Sequence, residues 1–133
     1  MAKVSDIIVC MNATNTEGVG VSAINILPAI TPEYVPGLFT FSVVAIVLDL
    51  DLTKNHSLRV DFKDPEGEIV VHVEGVLPSQ EIHSNLPSEQ LGVNIAMDWN
   101  NVNFKRGGLF TIEVIIDEEL LGEKQIFVKG KNE

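Results

Sequence analysis

The chain has one cysteine, one tryptophan, one tyrosine and few cations, and each scarcity closes off a class of protein. A single thiol, Cys10, cannot form an intramolecular disulfide, so there is no framework of the kind that staples small secreted domains. Nine Lys and Arg stand against nineteen Asp and Glu, a formal net charge of -10. Such a surface repels polyanions, so neither nucleic acid nor an anionic membrane is expected as a partner. No apolar run approaches the roughly 20 residues that a bilayer-spanning helix needs. The longest, Phe41 to Leu48, contains Ser42. The N-terminal apolar stretch runs only from Ile7 to Met11 behind Asp6, too short for a signal peptide, and a cytoplasmic protein is expected.

Core material and a two-residue period are present in its place. With 133 residues and a 45% hydrophobic fraction, the chain is sized for one domain spanning 1–133, with no need of a metal or disulfide to stabilise it. In Ser57-Leu58-Arg59-Val60-Asp61-Phe62-Lys63, apolar and polar side chains alternate as in a half-buried strand. Asp64-Pro65-Glu66-Gly67 carries type I turn residues, and Ile69, Val71 and Val73 continue the apolar side of a second arm, opposite Glu68, Val70, His72 and Glu74.

The same reading predicts a strand at Val4–Met11, then the turn-rich Asn12–Gly18, and a short strand at Ile24-Asn25-Ile26-Leu27. Pro28, Pro32 and Pro36 interrupt the next segment, and Pro36-Gly37 marks a turn. Leu38–Leu50 is apolar on both faces in its middle, the pattern of a central strand covered from both sides. Pro78–Gln90 is a polar connection between sheets, with one helical turn expected at Ser88-Glu89-Gln90. Val93, Ile95, Met97 and Trp99 share one parity while Val102 and Phe104 take the other, so a β-bulge near Asn100-Asn101 is predicted. Lys105-Arg106-Gly107-Gly108 reads as a tight turn into Phe110, Ile112, Val114 and Ile116. A last hairpin turns through Asp117–Gly122 and returns through Ile126 and Val128. The sum is an all-β, antiparallel Greek-key β-sandwich of immunoglobulin-like or C2-like type with seven or eight strands, a closed barrel being the alternative.

Chemistry-bearing patterns are sparse. His56, His72 and His83 lack the close pairing of a zinc site. Calcium, which C2-like sandwiches hold through loop aspartates, has candidates in Asp49 and Asp51, in Asp64 and Glu66, and in Asp117, Glu118 and Glu119; at least two of these clusters must meet to supply its six to eight oxygens. Solvated turns explain the same clusters in an acidic protein. Cys10 fits a buried, unreactive thiol better than a nucleophile, and no Gly-x-Ser-x-Gly elbow or phosphate-binding loop is present, so no catalytic or cofactor-binding residue is assigned. The Lys105–Gly108 turn is the one local basic spot and could hold an anion through exposed amides. Trp99 has the parity of the core rather than of a ligand platform.

The opening Ile7-Ile8-Val9-Cys10, the Ile24-Asn25-Ile26-Leu27 segment, the Leu58–Gly67 hairpin arm with its Asp-Pro-Glu-Gly turn and the closing Gly108-Leu109-Phe110-Thr111-Ile112-Glu113-Val114 resemble small uncharacterised bacterial proteins carrying a domain of unknown function. That resemblance implies an immunoglobulin-like sandwich and brings no activity or site residues with it. The expected function is a non-enzymatic protein-interaction or assembly module whose partner is another protein or a second copy of the chain. A calcium- or small-ligand-binding sandwich and a hydrolase with an unrecognised site are the alternatives.

Overall fold

The computed structural model describes residues 2–16, 20–79 and 91–133. Its eight strands, in chain order, are β1 (Lys3–Thr16), β2 (Gly20–Ile26), β3 (Gly37–Leu48), β4 (His56–Lys63), β5 (Ile69–Leu77), β6 (Gly92–Phe104), β7 (Gly108–Ile116) and β8 (Glu119–Val128). They form two antiparallel four-stranded sheets: sheet A in the order β2-β1-β3-β6 and sheet B in the order β5-β4-β7-β8. The chain changes sheet after β3, β5 and β6, which gives the Greek-key sandwich. Pairing of β3 with β6 in one layer and of β5-β4-β7-β8 in the other matches immunoglobulin-like strand order. Asp49 N donates to Leu91 O and Ser79 N to Asn55 Oδ1, so both flanks of the Pro78–Gln90 connection lie at one end of the sandwich. The helical turn expected at 88–90 and His83 fall outside the described residues.

The period-two pattern places the core between the layers. Sheet A contributes Val9, Phe41, Val43, Val47, Trp99 and Phe104, and sheet B contributes Val60, Phe62, Phe110, Ile112 and Val114, all buried. Aromatic rings meet across the interface, Phe41 on Phe62 at 5.8 Å between centroids and Phe62 on Trp99 at 5.5 Å, and within each layer, Phe62 on Phe110 at 5.1 Å and Phe41 on Trp99 at 5.4 Å. Such offset and edge-on pairs add about 1 kcal/mol each to the burial of their area. Trp99 is in the core as its parity requires, and its buried indole N–H has no acceptor among the described residues.

The bulge expected at Asn100-Asn101 is there. Phe39 pairs with Val102 and Phe41 with Trp99, so one residue of β3 faces two of β6; Asn101 takes φ 53° and its N–H donates to Thr40 Oγ1. Both apolar groups of β6 thereby reach the same side.

Four local expectations require correction. β1 continues through the turn-rich residues to Thr16, because β2 pairs with it from Cys10 to Thr16. In β5 a second bulge sets Phe62 opposite Val71 and Lys63 opposite Ile69, which turns Ile69 outward and packs the extra residue, Val70, on the core. The last turn is only Asp117-Glu118, both at positive φ (52° and 66°) as in a type I′ hairpin, and β8 begins at Glu119. Finally, β3 is central in its sheet but is covered by a second layer on one face only; among the described residues nothing lies across the other.

Candidate functional site

The outer face of sheet A is built by the alternate residues of its strands. Phe41, Val43, Ala45 and Val47 of β3 face the core, so Ser42, Val44 and Ile46 face outward. The register sets Cys10 and Asp98 on either side of Ser42, Ile8 and Ala96 beside Val44, and Asp6 and Asn94 beside Ile46; Ile26 lies beyond Cys10. Val44 is 3% exposed and Cys10 0%, shielded by their neighbours in the sheet. Burial raises the Cys10 thiol pKa, and its sulfur lies 3.7 Å from Ser42 O. Ser42 Oγ donates to Asp98 Oδ1 at 2.6 Å, the polar contact within the patch. Across all four strands of this sheet the charged residues are Lys3, Asp6 and Asp98.

Sheet B turns a different outer face to solvent. Asp61 is 3% exposed, covered by Arg59 at 3.3 Å and by His72, whose Nδ1 is 2.5 Å away; His72 Nε2 meets Glu74 at 3.0 Å, and Lys63 meets Glu113 at 2.7 Å. The hydrogen bonds to Asp61 and then Glu74 raise the His72 pKa. Leu109 and Phe127 stand exposed as a cross-strand pair at one end of this face.

The calcium candidates divide between opposite ends of β4, about 25 Å apart for a strand of this length. Asp51, Asp117 and Glu118 share one end with Asp49; Asp64 and Glu66 are at the other. At the first end a histidine, not an open cavity, joins the acidic segments. His56 Nδ1 is 2.6 Å from Asp117 Oδ2 and Nε2 is 2.6 Å from Asp51 O. Both ring nitrogens face acceptors, which only the doubly protonated imidazolium satisfies. Its pKa is accordingly raised, first by Asp117, and that of Asp117 is lowered by His56 and by the Ser57 N–H on Oδ1. Asp51 Oδ1 accepts from Thr53 N and Oγ1, which lowers its pKa. At the second end Asp64 Oδ1 accepts from Glu66 N and Glu68 N to close the turn, and Gly67 supplies the φ of 86° there. Arg106 pairs with Glu66 and reaches to 4.0 Å from Asp64, beside a cleft of about 230 Å³ that Lys105, Asn103 and Phe110 also line. The basic spot at 105–108 is thus matched by carboxylates. Among the described residues no three of His, Cys, Asp and Glu gather as metal ligands would. Among the described residues neither His56 nor His72 reaches a hydroxyl or thiol.

Residues 5–129 match a family of unknown function, DUF6941. The chain belongs to DUF6941. An immunoglobulin-like protein from Pseudomonas aeruginosa is similar to this DUF6941 chain with a TM-score of 0.47 at 12% identity, over 97% of each chain. So is the alkylpurine DNA glycosylase AlkC of Pseudomonas fluorescens, solved bound to DNA containing an abasic site analog, with a TM-score of 0.46 at 10% identity. That match covers 96% of this chain and 30% of the glycosylase. No curated protein matches. Among the described residues no helix is long and apolar enough to cross a membrane.

The outer face of sheet A is what sequence reasoning missed. Its signal was the unbroken apolar run Val43–Leu48 within β3, which in a two-layer fold has only one layer to bury it.

Proposed function

We propose that this DUF6941 chain is a non-enzymatic protein-interaction module that docks a protein partner on the outer face of sheet A. One observation carries the reading: Ile8, Ile46, Ala96 and Ile26, each at least partly exposed, surround the buried Val44 in an apolar patch bordered by only two charges, Asp6 and Asp98, on a protein of net charge -10. Apolar continuity on an otherwise charged surface marks interaction sites, and depletion of charge marks the centre of an interface. Both described histidines have their ring nitrogens on carboxylates or a backbone carbonyl, which suits structural roles and not catalysis. The overall charge opposes nucleic acid. A reducing compartment such as the cytoplasm suits the single buried thiol.

Affinity capture from host lysate tests this with three forms of the chain. Ala96 is exposed in the middle of the patch, so Ala96→Arg places a charge there at a stability cost of about 0.5 kcal/mol or less. Gln125→Arg does the same on the outer face of sheet B. The reading expects a stoichiometric partner with wild type and Gln125→Arg that is lost with Ala96→Arg. Capture unchanged by Ala96→Arg defeats it.

A further inference from the structure

We propose that β2 is a self-pairing edge, through which two copies of the chain join antiparallel about a two-fold axis at Ser22 and merge their A sheets into one. The inference deepens the interaction reading by naming a second copy as one partner, and it rests on that reading. It uses the strand edge, whereas the proposed docking patch is a sheet face.

β2 lies outside the two-layer stack. β1 packs against β8 of the other sheet, and β2, one place further out, is paired among the described strands with β1 only. The phase of the ladder shows which backbone groups are left over. Leu27 N donates to Val9 O, which makes the opposed residues Cys10 and Ile26 a non-hydrogen-bonded pair; Met11 and Asn25 drop out of the ladder, which breaks the alternation there, so Asn12 with Ile24, Thr14 with Ser22 and Thr16 with Gly20 are hydrogen-bonded pairs. Val21 and Ala23 therefore turn their N–H and C=O groups away from β1 to the open edge. Asn25, at φ 56°, ends the regular stretch.

The other three edges carry protection that β2 lacks. β5 has a bulge at Val70 with His72 and Glu74, and β6 has a bulge with Asp98. β8 is bridged by Ile30 at Val128, and Gly122 lies against Val4. β2 carries no charge and no proline, the usual guards of an edge.

Charge points to a second copy as the occupant. Two molecules of net charge -10 repel, yet between Ile7 and Pro32 the only charged residue is Glu17, so this hairpin is where like copies approach at least electrostatic cost. Pairing about Ser22 also sets large beside small: Ile24 of one copy faces Gly20 of the other, and Val21 faces Ala23, each pair on its own side of the sheet. An isologous interface of this kind closes at two copies.

Sedimentation equilibrium of the full chain over a broad concentration series, at low and high salt, tests the proposal. The expected result is a monomer–dimer equilibrium that tightens with salt as repulsion is screened. Ala23→Pro removes an outward N–H without removing a β1–β2 hydrogen bond, and Ile24→Lys places a charge at the edge without altering the backbone. Each should weaken dimerisation about tenfold or more with the circular dichroism spectrum unchanged. A wild-type monomer throughout overturns the proposal, as does a dimer of unaltered strength in folded Ile24→Lys. A monomer that still captures a protein sensitive to Ala96→Arg overturns self-pairing and leaves the docking face standing.

Discussion

The outer face of sheet B is laced with ions, whereas that of sheet A is almost without them. Arg59, Asp61, Lys63, Glu74, Glu113 and Glu123 stand on that face of sheet B; the four strands of sheet A carry Lys3, Asp6 and Asp98. The inner faces do not differ in this way, since both are close-packed aliphatic and aromatic side chains. What folding requires of a sheet is therefore met equally by both layers. The contrast lies in how the free faces meet water: sheet B shields its exposed strands with paired charges, and sheet A leaves apolar side chains to one another or to a partner.

The largest test concerns the likeness of the inner faces. Phe41 and Phe62 are fully buried, one from each sheet, and each alanine variant is expected to cost about 3–5 kcal/mol in urea unfolding. A much smaller loss for Phe41→Ala would mean that sheet A is not part of one cooperative core. The outer faces should then separate. Asp61→Ala strips the partner from both Arg59 and His72 and is expected to cost about 1–3 kcal/mol. Asp98→Ala loses the Ser42 hydrogen bond and should cost about 0.5–1.5 kcal/mol by the same measurement.

The smallest test is pH. His56 has a pKa raised above its ordinary 6.5, so its clamp contributes fully below that pH and is lost as pH rises through the raised value. Asp117, held below its ordinary 3.8, contributes above that pH and is lost as pH falls through the lowered value. The melting temperature should therefore be highest between pH 3.8 and 6.5 with respect to this pair, and His56→Gln should flatten the decline on the alkaline side. His72 adds to that decline in the same sense, from the same sheet. An alkaline decline that survives intact when both histidines are replaced would place the pH sensitivity elsewhere.

The acidic clusters were legible as residues but not as a site. Asp51 and Asp117 stand more than sixty positions apart in the chain, and His56 joins their segments through its two ring nitrogens, which no spacing rule announces. The Asp117-Glu118 turn was hidden for a related reason. Two-residue type I′ turns favour Asn-Gly, and here Asp117 holds the positive φ while its carboxylate is fixed by His56 and the Ser57 N–H, both from another strand.

The period-two alternation by itself determined the sandwich: it fixed which side chains of β4, β6 and β7 face inward, and the parity change after Trp99 even fixed the bulge, because burial of one face leaves a strand no freedom to slip by one residue. Tertiary structure alone decided which apolar residues were left uncovered. Ile8 and Ile46 read in sequence like any core residues, and β2 like any strand; the order β2-β1-β3-β6 puts them on a face and at an edge that no other described residue covers. Alternation is a local property of the backbone, whereas coverage depends on which distant strand packs alongside.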